Sequence, residues 1–148
     1  MRKFSHFMLG LTALVFSSSA FSGEVPMELK GGKIVSPQEA KALIDKGGIA
    51  VDTRPKARFN EEHLPGAIVV PYDDVSKKEV KFDATVDKFA LDKLPKEKST
   101  ALIFYCDGLD CWKSYKASLA AIKAGFTNVN WLRVGRPGWK EAGFPVEK

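Results

Sequence analysis

An unbroken uncharged run, Ala101-Leu102-Ile103-Phe104-Tyr105, ends directly at Cys106. Such a run fits a strand buried on both faces, as in the centre of a parallel sheet. After a short polar loop an amphipathic helix begins near Cys111 or Trp112. Its stripe of Trp112, Tyr115, Leu119 and Ile122 recurs at helical spacing, and Gly125 closes it. A strand, a tight loop and a helix place the Cys106 thiol before a helix N-terminus, where free backbone N–H groups and the helix dipole favour a thiolate. Ligands of parallel sheets bind beyond the carboxyl ends of the strands, so Cys106 is the candidate nucleophile.

The flanking sequence supplies the rest of an α/β domain. Residues 23–33 are rich in Gly and Lys and read as an extended arm. Ile34-Val35 leads into Ser36-Pro37-Gln38-Glu39, with Ser36 as N-cap, Pro37 at the first helical position and Glu39 completing a capping box. Ala40, Leu43 and Ile44 face one side of this helix, and Gly47-Gly48 ends it. Ile49-Ala50-Val51 reads as a strand ending at Asp52-Thr53-Arg54, and Ala67–Val70 as another stopped by Pro71. In the charged stretch 72–98, Phe82, Val86, Phe89 and Ala90 predict one short helix. Val129–Leu132 reads as a last strand and Trp139–Ala142 as a closing helical turn. Strands separated by helices imply a central parallel sheet covered by helices on both faces.

The first 22 residues read as an export signal. Arg2 and Lys3 precede an apolar stretch, Phe7–Phe16, and then small residues up to Ser22, so cleavage after Ala20 or Ser22 fits. The apolar stretch is too short to span a bilayer, which predicts a periplasmic or secreted protein with no stable membrane span after processing. The remaining 126 residues suit one domain. They carry 21 basic and 18 acidic side chains, a net charge of +3. The lysines of 77–98 alternate with acids and not with aromatics, a pattern that gives nucleic-acid binding little support. Cys106 and Cys111 with His63 cannot supply four ligands, so no zinc site and no other metal or cofactor is expected. Two thiols bracketing a short loop can approach disulfide distance, but one short bridge does not make a disulfide framework.

Four local patterns, in order, resemble a single-domain rhodanese, a sulfurtransferase. They are Val51-Asp52-Thr53-Arg54, Glu62-His63-Leu64-Pro65-Gly66-Ala67, the apolar strand ending at Cys106 with its loop, and Trp139-Lys140-Glu141-Ala142-Gly143-Phe144-Pro145-Val146. The resemblance implies a rhodanese-like three-layer domain over 34–148, preceded by the signal (1–22) and the arm (23–33). It also implies an enzyme in which the Cys106 thiolate takes sulfane sulfur as a persulfide and passes it on. The substrate would sit in the loop Asp107, Gly108, Leu109, Asp110, Cys111 and on to Trp112, with backbone N–H groups cradling the anion. Its partners would be a small sulfur donor and a thiol acceptor, either a small molecule or a protein.

The loop departs from the family pattern, with Gly third and Cys sixth. Asp107 and Asp110 are expected to oppose thiolate formation and repel anionic donors, while Lys113 and the helix N-terminus act the other way. Cys111 reads as a resolving thiol, a second sulfur carrier, or a small residue at the helix start. Asp52 and Arg54 read as structural support, His63 as a loop histidine and Asp110 as a helix N-cap. Arg133 and Arg136 lie after the last strand, placed to attract an anion or simply solvated. A related phosphatase loop ends in an Arg where this chain has Trp112, which argues against phosphate-ester hydrolysis. Two other functions compete with sulfur transfer: a thiol–disulfide redox protein cycling Cys106 and Cys111, and a catalytically silent binding module, against which the presence of Cys106 argues.

Overall fold

The structure, a computed structural model, describes residues 23–148. The export-signal reading of 1–22 lies outside the described residues.

Strands β1 (Lys33–Ile34), β2 (Ile49–Asp52), β3 (Ile68–Val69), β6 (Leu102–Tyr105) and β7 (Val129–Trp131) form one sheet in the order β1-β7-β6-β2-β3, every pairing parallel. β6 is its centre, and all four of its residues are buried. Alternation along β6 separates two cores. Leu102 and Phe104 meet Tyr115, Ala117 and Ala121 of helix α3 (Lys113–Lys123) on one face. Ile103 and Tyr105 meet Ala40 of α1 (Pro37–Asp45) and Trp139 of α4 (Gly135–Glu141) on the other. This is the α/β architecture expected, a parallel sheet between two helical layers.

Helix α1 starts as read from sequence. The Ser36 hydroxyl accepts from the Glu39 N–H at 3.1 Å, and the Glu39 carboxylate accepts from the Ser36 N–H at 2.8 Å. A further helix, α2 (Lys56–Glu61), follows Pro55; it is too short to show a periodic stripe. Helix α4 begins at Gly135, a turn earlier than the expected closing turn.

The helix expected near 82–90 is absent. Instead there are two 3-10 turns, Ala84–Val86 and Leu91–Lys93, and between them β5 (Lys88–Phe89) pairs antiparallel with β4 (Tyr72–Asp73). Phe82, Phe89 and Ala90 pack against the α3-side core, while Val86 is exposed. Their spacing therefore reflects anchoring of an irregular excursion and not one face of a helix.

That excursion is fastened by a charge inside the protein. Lys116 of α3 is fully buried; it lies on the face of Trp112 and Leu119, and its charge sets it apart from that apolar stripe. Its ammonium bonds the Asp74 carboxylate, donates to Ser76 Oγ at 2.7 Å and lies 3.8 Å from Asp87 Oδ2. Asp87 also accepts from the Ser76 hydroxyl at 2.7 Å, from the Tyr72 hydroxyl at 2.8 Å and from the Val75 and Ser76 N–H groups. Burial pushes the Asp87 carboxyl up, but these donors prevail and hold it below the usual carboxylate range. Removing one member of a buried pair strands the others. Lys116→Met is therefore expected to cost about 3–5 kcal/mol in urea unfolding. A loss below about 1 kcal/mol would show that water reaches the two carboxylates.

Candidate active site

Cys106 follows the last residue of β6 and is 2% exposed. Its sulfur is bonded to that of Cys111, with the two Cα atoms 6.2 Å apart. The two thiols that bracket the loop therefore meet across it. Gly108 turns the chain with φ of +122°, and the Cys111 N–H donates to the Gly108 carbonyl at 3.2 Å. Among the described residues, the N–H groups of Asp107, Gly108, Leu109 and Asp110 meet no acceptor.

The loop rests on the start of α4. The Arg136 N–H donates to the Cys106 carbonyl at 2.9 Å. Gly135, at φ +64°, lies so close that a Cβ there would sit 2.3 Å from that carbonyl oxygen. Only glycine fits both the left-handed backbone and the contact.

Beneath the loop, Arg54 is 1% exposed and forks onto Asp52, with Nε 3.0 Å from Oδ1 and Nη2 2.7 Å from Oδ2. Nη2 also donates to the Glu62 carbonyl at 2.7 Å, and Nη1 to Asp107 Oδ1 at 3.2 Å. Burial works against the Arg54 charge, yet the bonds and charge of Asp52 outweigh it and raise its pKa. The Tyr105 hydroxyl donates to Asp52 Oδ2 at 2.6 Å and accepts from the Leu64 N–H at 3.2 Å. Burial, with the Asp52 charge behind it, pushes the Tyr105 phenol up. Asp52 and Arg54 thus tie β2 to the strand and loop of Cys106.

Asp107 differs from expectation. Its carboxylate accepts from Arg54, from Arg136 Nε at 3.3 Å and from Arg58 Nη2 at 3.4 Å. Glu62 pairs with Arg136 and accepts from Lys140 Nζ at 2.8 Å; the Lys140 bond leads in holding its carboxyl below the usual range. With Arg58 on Glu61, the cluster holds four cations and four anions. Asp107 is therefore a neutralised link in an ion-pair net and not a bare charge against the thiol. Asp110 does not cap α3, which starts at Lys113 with Trp112 as an N-cap that makes no side-chain bond. Leu109 is exposed, whereas Trp112 is buried, edge-to-face with Tyr115. His63 stacks on Phe59 and shares a bridge with Glu147, away from the cysteines. Arg133 reaches the arm instead of the loop mouth. Arg58 and Glu62 belong to α2 and its end, Arg136 and Lys140 to α4, and local patterns do not reveal their meeting around Asp107.

A cavity of about 580 Å³ opens between the ends of β2 and β3, the β4–β5 hairpin and the start of α3, and none of residues 106–111 lines it. Lys88, Lys93 and Lys113 line it with Tyr72 and Phe89. A chain of bonds links it to the cysteine strand: Thr53 N–H to Tyr105 O, Tyr72 N–H to Thr53 O, and Lys113 Nζ to Tyr72 O. No group of three or more His, Cys, Asp or Glu side chains among the described residues could hold a metal ion. None of the described helices is long and apolar enough to cross a membrane.

A parallel α/β sheet with a cysteine loop at the end of its central strand defines the class, and the chain belongs to the rhodanese-like domain family, whose model matches residues 36–142. The BH2092 protein of Bacillus halodurans is 26% identical, with a TM-score of 0.57 over 80% of this chain and 78% of that one. The Alr3790 protein of Anabaena is 25% identical, with a TM-score of 0.57 over 76% and 81%. A thiosulfate sulfurtransferase of Pseudomonas aeruginosa shares the fold at 23% identity and a TM-score of 0.54, over 80% of this chain but only 20% of its own. No curated protein matches the chain.

Asp107→Asn would leave the ion-pair net with one uncompensated positive charge. In protein reduced to the dithiol, alkylation of Cys106 by iodoacetate should then rise about two- to threefold relative to iodoacetamide at low ionic strength. The gain should fade near about 0.15 M salt. An unchanged ratio at low salt would mean that this net does not set the field at the sulfur.

Proposed function

We propose that this protein is a sulfurtransferase in which Cys106 takes up sulfane sulfur and Cys111 discharges it. The observation that supports this reading is the bond between the two sulfurs, since a thiol able to form it can also attack a persulfide on its partner. The reduced Cys106 thiolate attacks the sulfane sulfur of a donor, which leaves with its electron pair, and Cys106 becomes Cys106–S–S⁻. The loop N–H groups without acceptors are suited to solvating that anion. The Cys111 thiol then attacks Cys106 Sγ, forming the disulfide and expelling hydrogen sulfide. Two external thiols restore the dithiol and leave as their own disulfide. The lysine-rich cavity joined to the cysteine strand through Thr53 and Tyr72 suits an anionic thiol in that last role, by charge complementarity.

We also propose an extracytoplasmic setting. The export-like segment at 1–22 and a short disulfide both fit an oxidising compartment.

The disulfide favours one second reading, a redox protein cycling Cys106 and Cys111 with no sulfur cargo. Intact mass separates the two. Reduced Cys111→Ser given thiosulfate or glutathione persulfide should gain one sulfur, about 32 Da, and Cys106→Ser none. Wild-type protein should instead lose two hydrogens and release one equivalent of sulfide. A Cys111→Ser variant that no donor loads, from a wild type that still exchanges with glutathione, would reject sulfur transfer in favour of the redox reading.

A further inference from the structure

The arm read from sequence as a plain extended lead-in lies before the matched family region, yet it is built onto the cysteine loop. Val25 and Leu29 are 2% and 6% exposed, in the core that holds Trp112, Tyr115 and Trp131. The Val25 N–H donates to the Leu109 carbonyl at 2.8 Å, and the Trp112 indole N–H donates to the Gly23 carbonyl at 3.2 Å. Arg133 locks the arm in place. Its Nε donates to the Pro26 carbonyl at 2.7 Å, and its Nη2 to the Val25 carbonyl and to Glu24 Oε1, both at 2.8 Å.

These attachments fall at two informative places. Leu109 lies inside the ring that the Cys106–Cys111 bond closes, and Trp112 is the residue directly after Cys111. The described residues supply one backbone bond within that ring, Cys111 N–H to Gly108 O. Cutting the disulfide removes the covalent tie that closes this ring, so the Leu109 carbonyl is aimed at Val25 less firmly in the dithiol. Coupling of this kind is reciprocal: whatever the disulfide adds to arm docking, the docked arm adds to the disulfide.

We propose that the arm, through Val25 and Arg133, is a positioning element that sets the balance between the dithiol and the disulfide of Cys106 and Cys111. The proposal rests on the dithiol–disulfide step of the reading above and not on the sulfur cargo, so failure of persulfide loading leaves it standing. The reaction it concerns is balanced by glutathione. Two glutathione thiols reduce the protein disulfide to the dithiol and leave as glutathione disulfide.

The test is equilibration of the protein in glutathione redox buffers, with the dithiol fraction read by alkylation and mass. Arg133→Gln removes the lock without touching either cysteine. It should shift the equilibrium toward the dithiol about tenfold, which is roughly 30 mV for two electrons. Leu43→Ala, packed in the opposite core, lowers stability without touching the arm and should leave the equilibrium in place. Amide exchange at Val25 in the unaltered protein reads the same coupling from the other side, faster in the dithiol than in the disulfide. An Arg133→Gln equilibrium within about twofold of the original, or Val25 exchange equal in the two states, would overturn the proposal. Should Arg133→Gln fail to fold, the Val25 measurement decides alone.

Discussion

A buried guanidinium organises this protein. Arg54 sits inside the fold with its fork on Asp52, and it reaches the carbonyl of Glu62 and the carboxylate of Asp107 at once. A charge so placed is tolerated only when its donors are matched, and here they are matched by groups from β2, from the turn after α2 and from the cysteine loop. Tyr105 adds its hydroxyl to the same carboxylate from the neighbouring strand. The position of the loop is thus a by-product of satisfying one cation. The floor of the site and the coupling of β2 to β6 are the same structure.

Above that floor, the loop is held from two further sides. The start of α4 fits against its backbone at Gly135, and the N-terminal arm grips its far end at Leu109 and Trp112. The holds at Cys106 and Leu109 use backbone atoms of the loop and leave the side chains of 107–111 free to vary, whereas Trp112 is held through its indole. That arrangement explains how the loop accommodates Asp107, Asp110 and a second cysteine where the family pattern has other residues. The changed side chains are absorbed by partners around the rim, Asp107 by three arginines and Cys111 by Cys106.

Much of the fold was legible because its signals are local. The apolar run 101–105, the capping box at Ser36 and the turn at Gly47 each depend on a few neighbouring residues, and each lies where it was read. The excursion 72–98 was not legible. Its shape depends on Lys116, a residue of a later helix, and the partners that let a lysine be buried lie about 30–40 positions away in the chain. The same holds at the site. Cys106 at a strand end could be placed from pattern, whereas the neutralisation of Asp107 required Arg54 and Arg58 from one distant segment and Arg136 from another. The arm misled for a related reason: Gly and Lys dominate its composition, but Val25 and Leu29 decide where it goes.

The sheet order carries a consequence for how the chain matures. The cysteine strand β6 is flanked by β2, from the first third of the described chain, and by β7, from near its end. No early-synthesised portion contains a completed sheet centre, so cooperative folding waits until about residue 131 has been made. Cys106 and Cys111, by contrast, are separated by only five positions and can meet in a disordered chain. Oxidation of the loop and assembly of the sheet are therefore separable events. A chain delivered unfolded into an oxidising compartment would carry a closed loop into its own folding reaction.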